Sequence, residues 1–208
     1  YFTRAGGEKH DVGVMMATQP QGPFHDPLGK PLLPEEISPT MEHDPTIFVD
    51  DDQAKTPYII FGVGHKTGYH IARLNEDMIS LAEEPRLVTV NGAFHKNDKN
   101  FLHKRNGIYY LTCGTDIATS DNVYGPYTFQ GKVGDRWWLD GYAHGSFLKH
   151  NGQWFHVWTR YFDRDVNKVR ESLMTYTHYT DDGKMVDDLD FLDSHYHTGV
   201  GAYDASWD

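Results

Sequence analysis

Short runs of apolar and aromatic residues alternate with turn-forming residues along the whole chain. Most runs span four to eight residues, which is the length of β-strands rather than of helices. At most one helical turn is expected, around residues 76–82, so the pattern predicts an all-β chain. The predicted strands are residues 12–18, 47–49, 57–63, 69–74, 86–90, 101–104, 108–113, 147–150, 154–161 and 173–179.

Three dipeptides between these runs favour tight hairpins. They are Asn106-Gly107, Asn151-Gly152 and Asp182-Gly183. Asn-Gly and Asp-Gly between two strands are the strongest short-range signal of a two-residue turn. The sequence therefore predicts antiparallel neighbours joined by short connections.

Two sequence elements recur in alternation. Residues 101–111 are echoed by residues 147–157, and residues 17–24 (Ala-Thr, then Gly-Pro-Phe) are echoed by residues 118–127 (Ala-Thr, then Gly-Pro-Tyr). Alternating repeats are typical of the successive antiparallel sheets of a β-propeller. A β-sandwich is the alternative for any strand-rich chain, and the repeats favour the propeller.

Three titratable residues hold matching positions in these repeats. Asp44, Asp98 and His144 each stand three residues before the first apolar residue of a repeat, 54 and 46 residues apart. The repeat is thus about 50 residues long, and the chain holds about four. Because the first strand of each propeller blade lines the central channel, the three side chains are expected to converge at its mouth. The alternative is that both aspartates are solvated residues at hairpin ends.

The composition excludes several classes of protein. The chain has 208 residues, 38% hydrophobic and 24% charged, as in an ordinary globular protein. A formal net charge of −11 argues against a protein that binds a nucleic-acid backbone. No apolar run approaches the ~20 residues that span a membrane, and the single cysteine, Cys113, excludes an intramolecular disulfide.

Two carboxylates that face each other across a cleft are the machinery of glycoside hydrolysis. One, kept protonated, donates to the leaving oxygen, and the other activates water on the opposite face of the sugar. A further carboxylate nearby raises the pKa of the acid by like-charge repulsion. Asp44 and Asp98 are the candidates for this chemistry.

Other side chains near these positions could bind a sugar or a metal. Trp137, Trp138 and Tyr142 could stack on sugar faces or pack in the core. His144 could hold a metal or its water shell, orient a carboxylate, or be a core histidine. Arg170 could bind a sugar hydroxyl or be an ordinary surface arginine.

No complete metal-binding motif is present. The chain lacks HExxH and CxxC spacings. The Asp50-Asp51-Asp52 run lacks the glycine and the distal glutamate of a calcium loop. A hairpin tip is therefore expected there.

The order of several motifs resembles glycoside hydrolase family 43. The stretch EHDPTIFVDDD at residues 42–52 is similar to the family's "DPT-hydrophobic-F-DDDG" segment. Residues 101–111, 124–127 (YGPY), 144–147 (HGSF) and 179–183 (YTDDG) are further matches. The resemblance implies a five-bladed β-propeller that releases arabinofuranose or xylose units with inversion.

The resemblance also implies roles for single residues. Asp44 takes the place of the aspartate that modulates the pKa of the acid. Asp98 takes the place of the general acid, which in the family is a Glu in a Glu-Gly-Pro context, with a shorter reach. His144 takes the place of the histidine at the channel centre, often beside a hydrated calcium ion, and Arg170 that of an arginine that contacts the sugar.

Two further expectations concern substrate binding and the identity of the acid. Trp138 and Tyr142 are expected to bind substrate with Arg170 and His144. His95 and His103 are alternative acids, because related propeller hydrolases acting on algal sugars can recruit a histidine.

No aspartate matches the family's general base, so we expect the first blade to be missing and the chain alone to have low activity. The propeller domain is expected at residues 1–198, with residues 199–208 an exit toward an appended carbohydrate-binding module. The resemblance also implies a secreted, extracellular or periplasmic protein.

The sequence thus predicts an exo-acting inverting glycosidase on arabinofuranosyl or xylosyl ends of a polysaccharide. Its partner is an oligo- or polysaccharide, with neither nucleic acid nor membrane involved. The alternatives are a non-catalytic carbohydrate-binding propeller and an inactive fragment that needs a completing chain.

Overall fold

The computed structural model describes residues 1–6, 9–63, 68–94, 99–133, 145–161 and 170–188. Within these ranges all regular secondary structure is β-strand, which confirms the predicted all-β class. No helix in this part of the chain is long and apolar enough to cross a membrane.

The strands fill four sheets in chain order. The first sheet has two strands, the second and fourth have four each, and the third has five. Their bounds are β1 (Phe2–Gly6) and β2 (Lys9–Gly13) in the first sheet; β3 (Thr46–Val49), β4 (Pro57–Phe61), β5 (His70–Arg73) and β6 (Arg86–Leu87) in the second; β7 (Val90–Asn91), β8 (Asn100–Arg105), β9 (Ile108–Cys113), β10 (Asp116–Ser120) and β11 (Tyr127–Lys132) in the third; and β12 (Ser146–His150), β13 (Gln153–Tyr161), β14 (Arg170–Tyr179) and β15 (Met185–Asp187) in the fourth.

The two Asn-Gly dipeptides form the predicted hairpins. Asn106 and Gly107 have φ values of 50° and 81° between β8 and β9, and Asn151 and Gly152 have 47° and 87° between β12 and β13. A two-residue turn that matches the twist of its strands needs positive φ at both positions, which Asn and Gly adopt most readily. Local chemistry therefore sets the register of both hairpins.

The sheets stack face to face, with a hydrophobic cluster in each gap. On β4, Ile59 and Phe61 pack toward the first sheet, whereas Tyr58 and Ile60 pack toward the third. Because neighbouring side chains of a strand point to opposite faces, a strand between two sheets is buried on both. All five residues of β4 are buried.

Strands β3, β8 and β12, one from each of the three larger sheets, lie side by side. Thr46 Oγ1 donates a hydrogen bond to the carbonyl oxygen of Asn100 at 2.8 Å, and the ring centroids of Phe101 and Phe147 are 6.1 Å apart. Each pair occupies equivalent positions in successive repeats. The register of the repeats read from the sequence therefore places equivalent residues next to each other, as in the blades of a propeller.

The apolar pattern does not predict four of the observed strands, β1, β10, β11 and β15. In β11 only Tyr127 is buried, and the rest of the strand alternates between exposed and half-buried positions. A strand such as β11 exposes polar side chains, so it lacks the apolar run by which a buried strand is recognised. β10 is buried between β9 and β11, and it is missed because its sequence DIATS is mostly polar.

Three predicted elements differ from the structure. The single strand predicted at residues 86–90 is two short strands, β6 and β7, which belong to the second and third sheets. The strand predicted at residues 12–18 ends at Gly13, and Met16 forms only an isolated bridge with His25. Residues 76–82 form a turn rather than a helical turn, because Asp77 Oδ1 accepts hydrogen bonds from the amides of Ile79 and Ser80.

Candidate functional site

Asp44 lies directly before β3 in a left-handed backbone conformation, with φ of 46°. Such values are uncommon for residues with a side chain, and they concentrate at functional sites. Its amide donates to Thr3 Oγ1 at 3.0 Å, which ties this turn to β1. The side chain is 18% exposed, so the carboxylate is neither core nor fully solvated.

The carboxylate of Asp44 reaches the chain at the start of β8. The amide of Lys99 donates to Asp44 Oδ2 at 3.3 Å, and Asn100 Nδ2 donates to the carbonyl oxygen of Asp44 at 3.5 Å. The beginnings of β3 and β8 are therefore joined through the predicted modulating aspartate. Lys99 is the residue that follows Asp98, the predicted acid.

Two histidines lie beside Asp44. Nδ1 of His43 is 3.2 Å from Asp44 Oδ2, and the rings of His10 and His43 are 4.9 Å apart between centroids. A groove of about 580 Å³ lined by His10 and residues 35–42 adjoins this pair. The groove ends at Glu42, two residues before Asp44 along the chain.

Most of the other predicted site residues lie outside the described residues. These are Asp98, Trp138, Tyr142 and His144, the last of which was also the predicted metal site. Arg170 is the first residue of β14. The roles assigned to all five from the sequence remain predictions.

His103, one of the alternative acids, is placed where it cannot reach a substrate. It is 5% exposed, its Nε2 is 2.6 Å from the hydroxyl of Tyr179, and the rings of Tyr110 and Phe147 stack on it with centroids 5.1 and 5.2 Å away. Burial lowers the pKa of His103 to about 3. An imidazole that is neutral down to this pH is not a general acid near neutrality, so the prediction for His103 is wrong.

A second buried histidine, absent from the sequence predictions, lies in the fourth sheet. Nδ1 of His156 is 2.7 Å from Asp187 Oδ2, and the hydroxyl of Thr177 donates to Asp187 Oδ1 at 2.6 Å. The side chains of His156 and Asp187 are both 0% exposed. The one available signal in the sequence is a histidine in the middle of an apolar run.

The aspartate run at residues 50–52 forms a contact between sheets. Nζ of Lys104 on β8 is 2.7 Å from Asp50 Oδ1 and 2.6 Å from Asp51 Oδ1, and the hydroxyl of Tyr109 donates to Asp50 Oδ2 at 2.5 Å. Asp52 accepts hydrogen bonds from the amide and hydroxyl of Thr56. Residues 50–52 follow β3 in the connection to its partner β4, so this run is a hairpin tip, as expected from the sequence.

Among the described residues, no group of three or more His, Cys, Asp or Glu side chains is arranged to hold a metal ion. The calcium ion implied by the motif resemblance would lie beside His144, which is outside these residues.

Stacked antiparallel sheets with a carboxylate at the start of the inner strands define part of a β-propeller of the glycosidase type. The chain belongs to glycosyl hydrolases family 43, whose family model matches residues 1–185. The matched structures are five-bladed β-propeller enzymes, of which this chain covers a part.

Two relatives carry names for pentose-releasing activities. The arabinoxylan arabinofuranohydrolase of Bacillus subtilis (strain 168) is 32% identical over 74% of this chain and 32% of its own length. The xylosidase/arabinosidase 43A of Humicola insolens is 27% identical over 84% of this chain and 66% of its own length. The chain therefore spans between about a third and two thirds of the relatives it matches.

Two solved structures share the fold. The GH43_1 enzyme from Xanthomonas citri, complexed with xylotriose, matches with a TM-score of 0.67 at 24% identity, over 85% of this chain and 63% of that one. A beta-xylosidase/alpha-arabinofuranosidase from a compost microbial metagenome, in complex with xylotriose and in a calcium-free form, matches with a TM-score of 0.66 at 23% identity, over 88% and 71%.

Proposed function

We propose that this chain forms the propeller of an exo-acting, inverting glycosidase that removes arabinofuranosyl or xylosyl ends from a plant or algal polysaccharide. The names of the two relatives support the sugar class, and the oligosaccharide in the two matched structures supports the kind of substrate. We also propose that the protein is secreted, to the extracellular space or the periplasm, where a polysaccharide substrate is found.

One contact carries this proposal. Asp44 Oδ2 accepts the amide of Lys99, so a carboxylate at the start of one blade lies against the segment that carries Asp98. Asp98 is the acid that protonates the leaving oxygen. The negative charge of Asp44 raises the pKa of that acid and keeps it protonated near neutral pH.

The remaining residues bind the substrate. Arg170 contacts the sugar, and Trp138 and Tyr142 stack on its faces. His144 lies at the channel centre, where its imidazole would orient the water shell of a calcium ion. Such an ion would supply a fixed positive charge at the end of the channel.

The test uses the full-length protein with an aryl α-L-arabinofuranoside and an aryl β-D-xyloside. We expect release of the sugar, and ¹H NMR of the first product to show the anomer opposite to that of the substrate. Asp98→Asn should lower turnover by about 10²–10⁴-fold. Asp98→Glu keeps a carboxylic acid, on a longer side chain, and should not show this loss. Retention of configuration, or full activity of Asp98→Asn, would contradict the proposal.

A non-catalytic carbohydrate-binding propeller is the second candidate. It is favoured by the sequence Asp98-Lys99-Asn100 where the family has Glu-Gly-Pro. Calorimetric titration with xylotriose separates the two. Binding without hydrolysis by the full-length protein, unchanged in Asp98→Asn, would support the binding module.

A further inference from the structure

The ring of His156 is held at one edge by a hydrogen-bond partner and on one face by a stacked aromatic ring. Asp187 holds Nδ1 at 2.7 Å and is itself held by the hydroxyl of Thr177. The ring of Phe147 stacks on it, with centroids 4.1 Å apart and planes at 13°. Strands β12 to β15 each contribute one of these four residues, so the ring cannot turn without disturbing the whole sheet.

The remaining edge of this ring faces Gly145. A Cβ atom built on Gly145 would lie 2.4 Å from His156 Nε2 and 3.3 Å from Cδ2. The first distance is shorter than any real Cβ contact, so the ring occupies the space of a side chain at position 145. The φ of Gly145 is outside the left-handed region. Glycine is therefore needed for the close approach of the ring rather than for its backbone conformation.

Stability alone does not explain a buried imidazole and carboxylate at this place. Removing both groups from water is costly, and apolar residues of similar volume would stabilise a core at least as well. The surrounding cluster is apolar, with Phe147, Trp158 and Met185 all buried. The pair instead confers one defined ring position, because each hydrogen bond has a narrow geometry.

Gly145 is bonded to His144, and Cα atoms of consecutive residues are ~3.8 Å apart. A ring that fixes the backbone at Gly145 therefore limits the positions open to the residue bonded to it. We propose that His156, held by Asp187, is a positioning residue that orients His144 for substrate binding. This inference rests on the proposed function, in which His144 lies at the channel centre.

The test is a mutant cycle in the full-length protein. Gly145→Ala should lower kcat/KM by about 10²-fold, since a misplacement of about 1 Å costs that much. In a His156→Ala, Asp187→Asn background the ring is gone, and Gly145→Ala should change kcat/KM by less than about threefold. Phe155→Leu is the matched control, a buried substitution on the same strand that does not touch Gly145.

A second readout is independent of turnover. In ¹⁵N-labelled protein, the amide resonances of His144, Gly145 and Ser146 should shift in His156→Ala, Asp187→Asn and not in Phe155→Leu. Equal effects of Gly145→Ala in both backgrounds, or unshifted amides, overturn the inference while the proposed function stands. If the wild-type protein neither binds nor cleaves sugars, the proposed function fails, and the amide shifts still decide whether His156 positions this segment.

Discussion

The amide of Lys99 donates a hydrogen bond to Oδ2 of Asp44 across 3.3 Å, joining two residues 55 positions apart in the chain. This contact brings the starts of two successive blades together at one end of their first strands. Asp98 is linked to Lys99 by the same peptide unit. The proposed modulating charge and the proposed acid therefore belong to segments that are joined by a hydrogen bond from a backbone amide to a side-chain carboxylate.

Neutralising Asp44 should change the pH dependence of catalysis. A nearby negative charge raises the pKa of the acid, so Asp44→Asn lowers that pKa and moves the alkaline limb of the kcat/KM profile to lower pH. The profile of the full-length protein on an aryl arabinofuranoside measures this. Asp52→Asn, in the β3–β4 turn, is the control and should leave the limb in place. An unmoved limb in Asp44→Asn would rule out the modulating role.

His103 should make the fold sensitive to acid. Burial lowers its pKa to about 3, whereas in the unfolded chain the value is ~6.5. As the pH falls, the unfolded state therefore binds the extra proton before the folded state does. The free energy of unfolding is at its full value above pH 6.5. It decreases as the pH drops toward 3, by up to about 1.4 kcal/mol per pH unit. Urea unfolding at pH 7 and pH 4.5 should show a smaller difference for His103→Gln than for the wild type. Equal differences would show that His103 is not the group responsible.

The contact between Lys104 and Asp50 should stabilise the fold. The side chain of Lys104 is 15% exposed and that of Asp50 is 5% exposed. The hydrogen bond to Asp50, followed by the one to Asp51, raises the pKa of Lys104. Lys104→Met leaves Asp50 without its cation and should lower the free energy of unfolding by about 2 kcal/mol.

A raised lysine pKa means that this contribution is complete below pH 10.5 and is lost only as the pH rises through the folded-state value. The deficit of Lys104→Met should therefore be constant from pH 6 to pH 9 in urea unfolding. Lys149→Met, at an exposed position on β12, is the control and should stay within about 0.5 kcal/mol of the wild type. A Lys104→Met variant as stable as this control would mean that the contact between Lys104 and Asp50 contributes nothing to the free energy of unfolding.

Tyr124 should couple energetically to Glu83. Its hydroxyl donates to Glu83 Oε1 at 2.5 Å, Arg86 lies over its ring, and burial together with the Glu83 carboxylate raises the pKa of the phenol. Tyr124→Phe should cost about 1 kcal/mol of unfolding free energy. A double-mutant cycle with Glu83→Gln measures the interaction. Strictly additive losses would show that this hydrogen bond does not tie the second and third sheets.

Local chemistry explains which parts of the fold are predictable. The Asn106-Gly107 turn forms as expected because its φ preferences act within two residues. β10 is not predicted, because its mostly polar sequence is buried by pairing with β9 and β11 rather than by an apolar run of its own. β15 is not predicted, because it is a three-residue strand at the edge of its sheet. The turn at residues 76–82 depends on the side chain of Asp77, a local hydrogen bond that the apolar pattern does not report.

The candidate site also combines features that the sequence predicts with features that it does not predict. The position of Asp44 in the repeat is a property of the sequence, and the structure places it at the expected end of β3. The location of His103 is not such a property, since alternation alone does not say which face of β8 meets the next sheet. The pairing of His156 with Asp187 likewise cannot be predicted from the sequence, because 31 residues separate them.

From its sequence alone, this chain is specified as an all-β protein of repeated blades with carboxylates at matched positions, because strand length, turn preferences and repeat spacing are encoded within short windows. The tertiary structure alone determines which side chains contact each other between blades and which histidine side chains are buried. It also determines at which glycine the absence of a side chain allows the close approach of a ring. Those outcomes depend on packing between sheets that are distant in the chain, where desolvation and close contact act and where sequence periodicity carries no information.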